Sequence, residues 1–278
     1  MKKQYNLLFQ KLKIKKEGCF IPFVVLGDPS FNISLQIIDT LIQNGADALE
    51  LGIPFSDPIA DGITIQKAHT RAFLNKITLK KCFLMLKTIK KKYPFIPIGL
   101  LVYSNIIFSY GISKFYHICS ILHINSILIA DMPYEESKEI RQIAQEKNIL
   151  QVFICPPDAQ KHVIKKISKY SQGYVYLVSR PGITGLQKSR VAISLTNTIK
   201  KLKKYHSEPI IQGFGIFTSD QIKKSLNNGV QGIICGSLFA KIIEKNFINY
   251  IQLIKKIKKI TIKLKNATKK IKDLKVIK

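Results

Sequence analysis

Acidic residues are scarce in this chain: 17 Asp and Glu stand against 45 Lys and Arg, for a formal charge of +28 over 278 residues. An imbalance of that size raises nucleic acid or an anionic membrane as a partner. The lysines are spread along helical patterns, however, and no RNP, helix-turn-helix or zinc-finger pattern accompanies them. They are abundant together with Ile and Asn, the combination an A/T-rich coding bias produces, so the charge reads as solvated helix faces rather than a nucleic-acid surface. A Gly/Ser- or Pro-rich linker is also missing, which leaves one domain over 1–278 with a lysine-rich helical extension from about 255. The longest apolar region, IPIGLLVYSNIIF, is too short and interrupted to span a bilayer. The N-terminal MKKQYNLLFQKLKIKKEG is broken by lysines before a secretory apolar segment forms. The five cysteines are odd in number, scattered and without a CxxC pair, so a disulfide scaffold is excluded and reduced, buried thiols are expected. His117 and His123 near Cys119 fall on different helical faces, and no second cluster completes a metal site. The expectation is a soluble, cytoplasmic protein without metal.

Phosphate-cradling nucleotide motifs are absent as well: neither GxGxxG nor GxxxxGK occurs. A doubly wound sheet would need such a turn after its first strand, and here that turn reads GDPSFN. What is present is a repeating alternation. Eight short apolar runs recur at 19–27, 46–52, 96–103, 125–131, 150–156, 173–179, 209–215 and 231–237, each followed by an amphipathic helical pattern. Most are rich in Val, Ile and Leu without polar alternation, as parallel strands covered on both faces are. Eight such units predict an α/β fold, a (β/α)8 (TIM) barrel, whose usual length is about 250 residues. The segment after the second strand is long enough for an extra helix at 64–75 before the one at 79–92. A loop at 179–189 after the sixth strand, SRPGITGLQKS, is long enough for a mobile lid.

The stretch LELGIPFSDPIADG (49–62) places Glu50 between two leucines. If Leu49 and Leu51 face the helices, Glu50 points into the barrel near its C-terminal mouth, where barrel enzymes do chemistry. Poor solvation there raises a carboxyl toward neutrality and suits it as both acid and base. The structural alternative is a Glu paired with a buried Lys or Arg, and the strand segments offer no obvious basic partner. Asp57 and Asp61 follow in a loop stiffened by Pro54 and Pro58. Asp61 could act in catalysis or cap the helix behind it, and spacing does not separate the two. At the other end, Gly213-Phe214-Gly215 and Gly236-Ser237 fall after strands seven and eight, where barrel enzymes grip phosphate with backbone N–H groups and a helix N-terminus. Turn glycines alone would look the same. The residues therefore suggest carboxylate acid–base chemistry on a phosphorylated small molecule.

The strand-two stretch LELGIPFSDPIADGITIQKA resembles the tryptophan synthase alpha chain family closely. The resemblance covers nearly the whole chain, from PFVVLGDPS (22–30) through IPIGLLVYSN, ILIADMPYEES, FICPP, GYVYLVSRPGITG and QGFGI to GSLFAKIIEKN (236–246). It implies a lyase of tryptophan biosynthesis, with retro-aldol cleavage of indole-3-glycerol phosphate to indole and glyceraldehyde 3-phosphate. Glu50 and Asp61 then take the places of the catalytic pair and Tyr176 that of the active-site tyrosine. Phe23, Leu101 and Leu128 match the indole pocket. Gly185, Gly215, Gly236 and Ser237 match phosphate contacts, and Arg180 and Thr184 belong to the lid. The resemblance also implies a beta-chain partner carrying pyridoxal phosphate, in an alpha2beta2 heterotetramer, with Asp57, Pro58, Asn105 and Pro133 at the interface and no cofactor on this chain. Rival readings are an isomerase barrel acting on a phosphorylated sugar–amine, which would lack the SDPIADG loop, and a basic nucleic-acid binder. Departures from the family pattern are Pro181 in the lid, Phe217 after GFGI, and the lysine-rich C-terminus. There an apolar stripe of Ile257, Ile260, Leu264, Ala267, Ile271 and Leu274 reads as the last barrel helix extended, with a separate membrane- or RNA-binding helix as the alternative.

Overall fold

The computed structural model describes residues 2–179 and 195–269. Its centre is a closed barrel of eight parallel strands in chain order: β1 (Cys19–Val25), β2 (Leu49–Gly52), β3 (Ile98–Val102), β4 (Ser126–Ile129), β5 (Leu150–Cys155), β6 (Val175–Val178), β7 (Ile210–Gly213) and β8 (Gly232–Cys235). Each strand sits inside the apolar run expected to hold it, shortened at the ends where loops take over. All eight are buried on both faces save Ile154, which is why their sequences do not alternate.

Around the barrel run α2 (Phe31–Gln43), α3 (Ile63–Leu74), α4 (Leu79–Lys92), α5 (Ser104–Tyr110), α6 (Ile112–Ile121), α7 (Lys138–Glu146), α8 (Lys161–Tyr170), α9 (Thr196–Lys204), α10 (Ser219–Asn227) and α11 (Ser237–Asn246). The extra helix after β2 is α3, and α4 covers the predicted 79–92. Preceding the barrel, α1 (Lys2–Ile14) closes its bottom: Tyr5 is buried and its hydroxyl pairs with Ser126 Oγ at 3.0 Å, at the start of β4.

A last helix, α12 (Tyr250–Ala267), packs on α2, α10 and α11 after the chain turns at 247–249. Its face of Leu253, Ile257, Leu264 and Ala267 is buried, with Ile260 partly so. Lys265 Nζ reaches Asp47 at 2.9 Å and Glu17 at 3.0 Å, and Gly18 N–H donates to Thr268 O at 2.9 Å. The described part of the stripe is thus a packing face of the helical layer, not a free amphipathic helix. Ile271 and Leu274 lie outside the described residues. All five cysteines are buried, and none of the described helices is long and apolar enough to cross a membrane.

Candidate active site

On β2, Leu49 and Leu51 are buried beside Glu50, which is turned into the barrel cavity and is only 1 % exposed. Its register partner on β3 is Gly99, whose missing side chain leaves room that a Cβ would take from the Ser126 hydroxyl at 2.8 Å and crowd toward Tyr174 Oη at 3.6 Å. Through that gap the Tyr174 hydroxyl donates to Glu50 Oε1 at 3.2 Å. Glu50 Oε2 has no hydrogen-bond partner among the described residues. Burial pushes this carboxyl up from 4.5 to about 8; the Tyr174 hydrogen bond pulls the other way, and the nearby Asp61 adds to the rise. Among the described residues no lysine or arginine offsets the burial. The rise to about 8 is in the direction the strand position predicts for a poorly solvated carboxyl that serves as both acid and base.

Asp61 does not cap α3. The N-cap is Gly62, with no side-chain cap, and the Asp61 carboxylate turns instead into the cavity, where it is 4 % exposed. Tyr103, just past the end of β3, donates its hydroxyl to Asp61 Oδ2 at 2.8 Å, and His69 Nε2 on α3 lies 3.3 Å from the same oxygen. The loop before it is tied by backbone bonds, Ile59 N–H to Asp57 O at 2.8 Å and Asp61 N–H to Pro58 O at 3.0 Å, and by Ala60 N–H to the Tyr103 hydroxyl at 3.2 Å. α3 itself is anchored by Arg71, whose Nε and Nη2 donate to the Asp28 carboxylate at 2.7 and 2.8 Å. Burial raises Asp28 to about 6 despite that fork.

The two carboxylates line one partly open cavity of about 30 Å³. Phe23, Ile65, Leu101, Tyr176, Ile234 and Phe214 form its apolar wall, and Gly215, Gly236 and Ser237 its far end. Phe214 and Gly215 both have positive φ, +60° and +72°, a left-handed turn that glycine adopts freely, and both line the cavity. Ser237 is the first residue of the ten-residue helix α11, so helix N–H groups and a hydroxyl face the cavity where an anion is favoured. Leu128 is buried beside Leu101 in the strand register but does not line the cavity. Arg180, Thr184, Gly185 and Pro181 lie outside the described residues. Asp57 and Pro133 are exposed in the loops after β2 and β4, Asn105 is exposed in the first turn of α5 after β3, and Pro58 is buried. Phe217 lies just before α10, its N–H bound to Gln221 at 2.8 Å.

A sequence model of the tryptophan synthase alpha chain matches residues 9–269. The chain belongs to the tryptophan synthase alpha chain family. It is similar to the tryptophan synthase alpha chain of Buchnera aphidicola subsp. Schlechtendalia chinensis, 55% identical over 265 residues, covering 95% of this chain and 98% of that one. The Citrobacter koseri tryptophan synthase alpha chain is 49% identical over 266 residues, covering 96% and 99%. A crystal structure of the tryptophan synthase complex from Pyrococcus furiosus superposes with a TM-score of 0.80 at 31% identity, covering 89% of this chain and 98% of that one. The family's members are lyases that cleave indole-3-glycerol phosphate, and they work with a beta chain.

Three residues of the alpha-chain site escaped the sequence reading. Tyr174 was detectable: GYVYL places it two residues before Tyr176, and alternate strand residues share a face. Tyr103 carried a weaker signal, a polar ring at the C-terminal end of a barrel strand. His69 gave none, because a histidine within an amphipathic helix reads as an ordinary helix residue.

Proposed function

We propose that this chain cleaves indole-3-glycerol phosphate with Glu50 as proton donor and acceptor and Asp61 as the anionic partner of the indole nitrogen. The observation that carries the reading is two buried carboxyl groups in one cavity, Glu50 with an oxygen unpaired among the described residues and Asp61 hydrogen-bonded by Tyr103 and His69. The cavity has an apolar wall, with Gly215, Gly236 and Ser237 at its end. Indole packs against Phe23 and Leu101, and the phosphate sits at Gly215, Gly236 and Ser237. Glu50 gives its proton to indole C3, and positive charge develops on the ring nitrogen. The Asp61 carboxylate accepts the indole N–H and stabilises that charge in a poorly hydrated site. Glu50, now ionised, takes the proton from the hydroxyl on the carbon bonded to C3. That C–C bond breaks, its electron pair returns to the ring, and the hydroxyl carbon becomes the aldehyde of glyceraldehyde 3-phosphate. Tyr176, lining the same cavity with its ring edge-on to Phe214 at 5.8 Å, packs beside the reacting carbons.

The partner is a beta chain, and the Pyrococcus furiosus relatives include an alpha2beta2 complex. In this reading the exposed residues Asp57, Asn105 and Pro133 meet it together with Pro58. Pyridoxal phosphate belongs to the beta chain, this chain carries no cofactor, and the complex is cytoplasmic. Arg180, Thr184 and Gly185, which lie outside the described residues, are assigned to substrate binding by the family resemblance alone. The test is indole release by Glu50→Gln and Asp61→Asn. Both are expected to lose at least about 100-fold in kcat while still binding the substrate; near-normal release from either would remove that residue from its role.

A further inference from the structure

We infer that His69 is a positioning residue that couples the backbone of the loop after β2 to the carboxylate of Asp61. The histidine is 1 % exposed, and both ring nitrogens are engaged. Phe55 N–H donates to Nδ1 at 3.1 Å. A backbone N–H can only donate, so Nδ1 carries a lone pair and the ring proton sits on Nε2. Nε2 faces Asp61 Oδ2 at 3.3 Å and so donates to it. The single Phe55 contact thereby fixes both the orientation and the tautomer of the ring.

Phe55 also governs the second donor. Its ring stacks on Tyr103, with centroids 4.9 Å apart and planes 22° from parallel, and the Tyr103 hydroxyl donates to the same Oδ2 at 2.8 Å. One loop residue thus holds a histidine by its backbone and a tyrosine by its ring, and both meet on one oxygen of Asp61. The consequence for the reaction is geometric. With Oδ2 held from behind by two donors, Oδ1 is the atom presented to the indole N–H. A shift of the loop at Phe55 moves both donors together and turns the carboxylate, and a displacement of about 1 Å costs on the order of 100-fold in rate. Other charged groups near the ring are Asp28 and its partner Arg71, which pair with each other. Neither substitutes for the Asp61 contact.

This inference rests on the assignment of Asp61 above, so the test separates the two. Variants are assayed as complexes with a beta chain on indole-3-glycerol phosphate. His69→Leu is expected to lower kcat about tenfold or more with KM changed less than about threefold. His69→Gln, whose amide can reach the place of imidazole Nε2, is expected to recover part of that loss. In ¹⁵N spectra of the imidazoles, the signal missing from H69Q is expected to show Nε2–H and an unprotonated Nδ1. The inference is overturned if folded H69L keeps wild-type kcat, if H69Q is no better than H69L, or if the spectrum shows Nδ1–H. Should H69L fail to fold, H69Q and the spectrum of the wild-type complex decide. Asp61→Asn is the control. If D61N stays active, the site assignment itself fails; if D61N is inactive while both His69 variants match wild type, only the role of His69 is refuted.

Discussion

Replacing Glu50 by glutamine should abolish turnover and at the same time make the protein more stable, by an amount that grows with pH. Buried Glu50 holds its proton to about 8 in the folded chain, against 4.5 for an ordinary glutamate. The folded state therefore binds a proton that the unfolded state has released across that window, and its stability contribution, fully present below about 4.5, is lost as pH rises toward about 8. Each tenfold difference in proton affinity is worth about 1.4 kcal/mol, so the contribution lost is roughly 3 kcal/mol by pH 7 and roughly 5 kcal/mol above the upper limit. Glutamine keeps the size and can still accept from Tyr174, but it has no proton to lose. Urea unfolding of wild type and Glu50→Gln at intervals from pH 4.5 to 8.5 should give curves that nearly coincide at the acid end and separate steadily. On the activity side, wild-type kcat/KM should fall as pH passes about 8, because the proton donor is lost. A stability difference that stays constant across the range would show that Glu50 is ionised in the folded chain, and the acid role would fail with it.

Tyr103→Phe removes the 2.8 Å donor to Asp61 while keeping the ring stacked on Phe55. A hydrogen bond to a charged group is worth about 1.5–3 kcal/mol of stability, and the Ala60 N–H loses its acceptor as well, so thermal stability should fall and kcat should drop roughly tenfold or more; an unchanged kcat would refute the support role. Asp57→Ala and Pro58→Ala should weaken activation by the beta chain more than they weaken the isolated chain, since they alter the loop surface proposed to meet the partner, and alanine frees the φ that Pro58 fixes beside the carbonyl that accepts the Asp61 N–H. Titrating a beta chain into the indole assay checks this, and equal losses with and without the partner would count against it. Lys265→Met should cost about 2–3 kcal/mol by urea unfolding with activity intact, because it leaves Asp47 and Glu17 without their shared cation. A loss below about 0.5 kcal/mol would show the pair to be solvated. Truncation after Asn266 should lower stability and spare activity, as it removes the Thr268 carbonyl that accepts from Gly18 at 2.9 Å.

Much of the architecture was legible because a buried parallel strand leaves a simple mark. The eight runs lack polar alternation, and the barrel follows from their number and spacing. Glu50 was legible for the same reason: a carboxyl between two buried leucines has nowhere to point but the barrel interior. Asp61 was ambiguous because a loop aspartate before a helix satisfies the capping rule as well as a catalytic role, and only the loop's own folding turns it toward Tyr103 and His69. Those partners come from β3 and α3, far apart in sequence from one another or hidden in helical periodicity, so no local pattern reports their meeting. Leu128 is the register partner of Leu101 yet is not among the described residues lining the cavity, a distinction residue type does not carry. The C-terminal packing helix was legible from its apolar stripe, and the structure sets it as a separate helix, α12, after the turn at 247–249 that follows α11.

The most direct test of the account is the product balance of the wild-type chain. Purified protein is incubated with indole-3-glycerol phosphate, with and without a beta chain, and indole and glyceraldehyde 3-phosphate are measured together. Equal amounts of the two products, formed faster when the beta chain is present, are expected. No indole from folded protein in the presence of a competent beta chain would contradict the account.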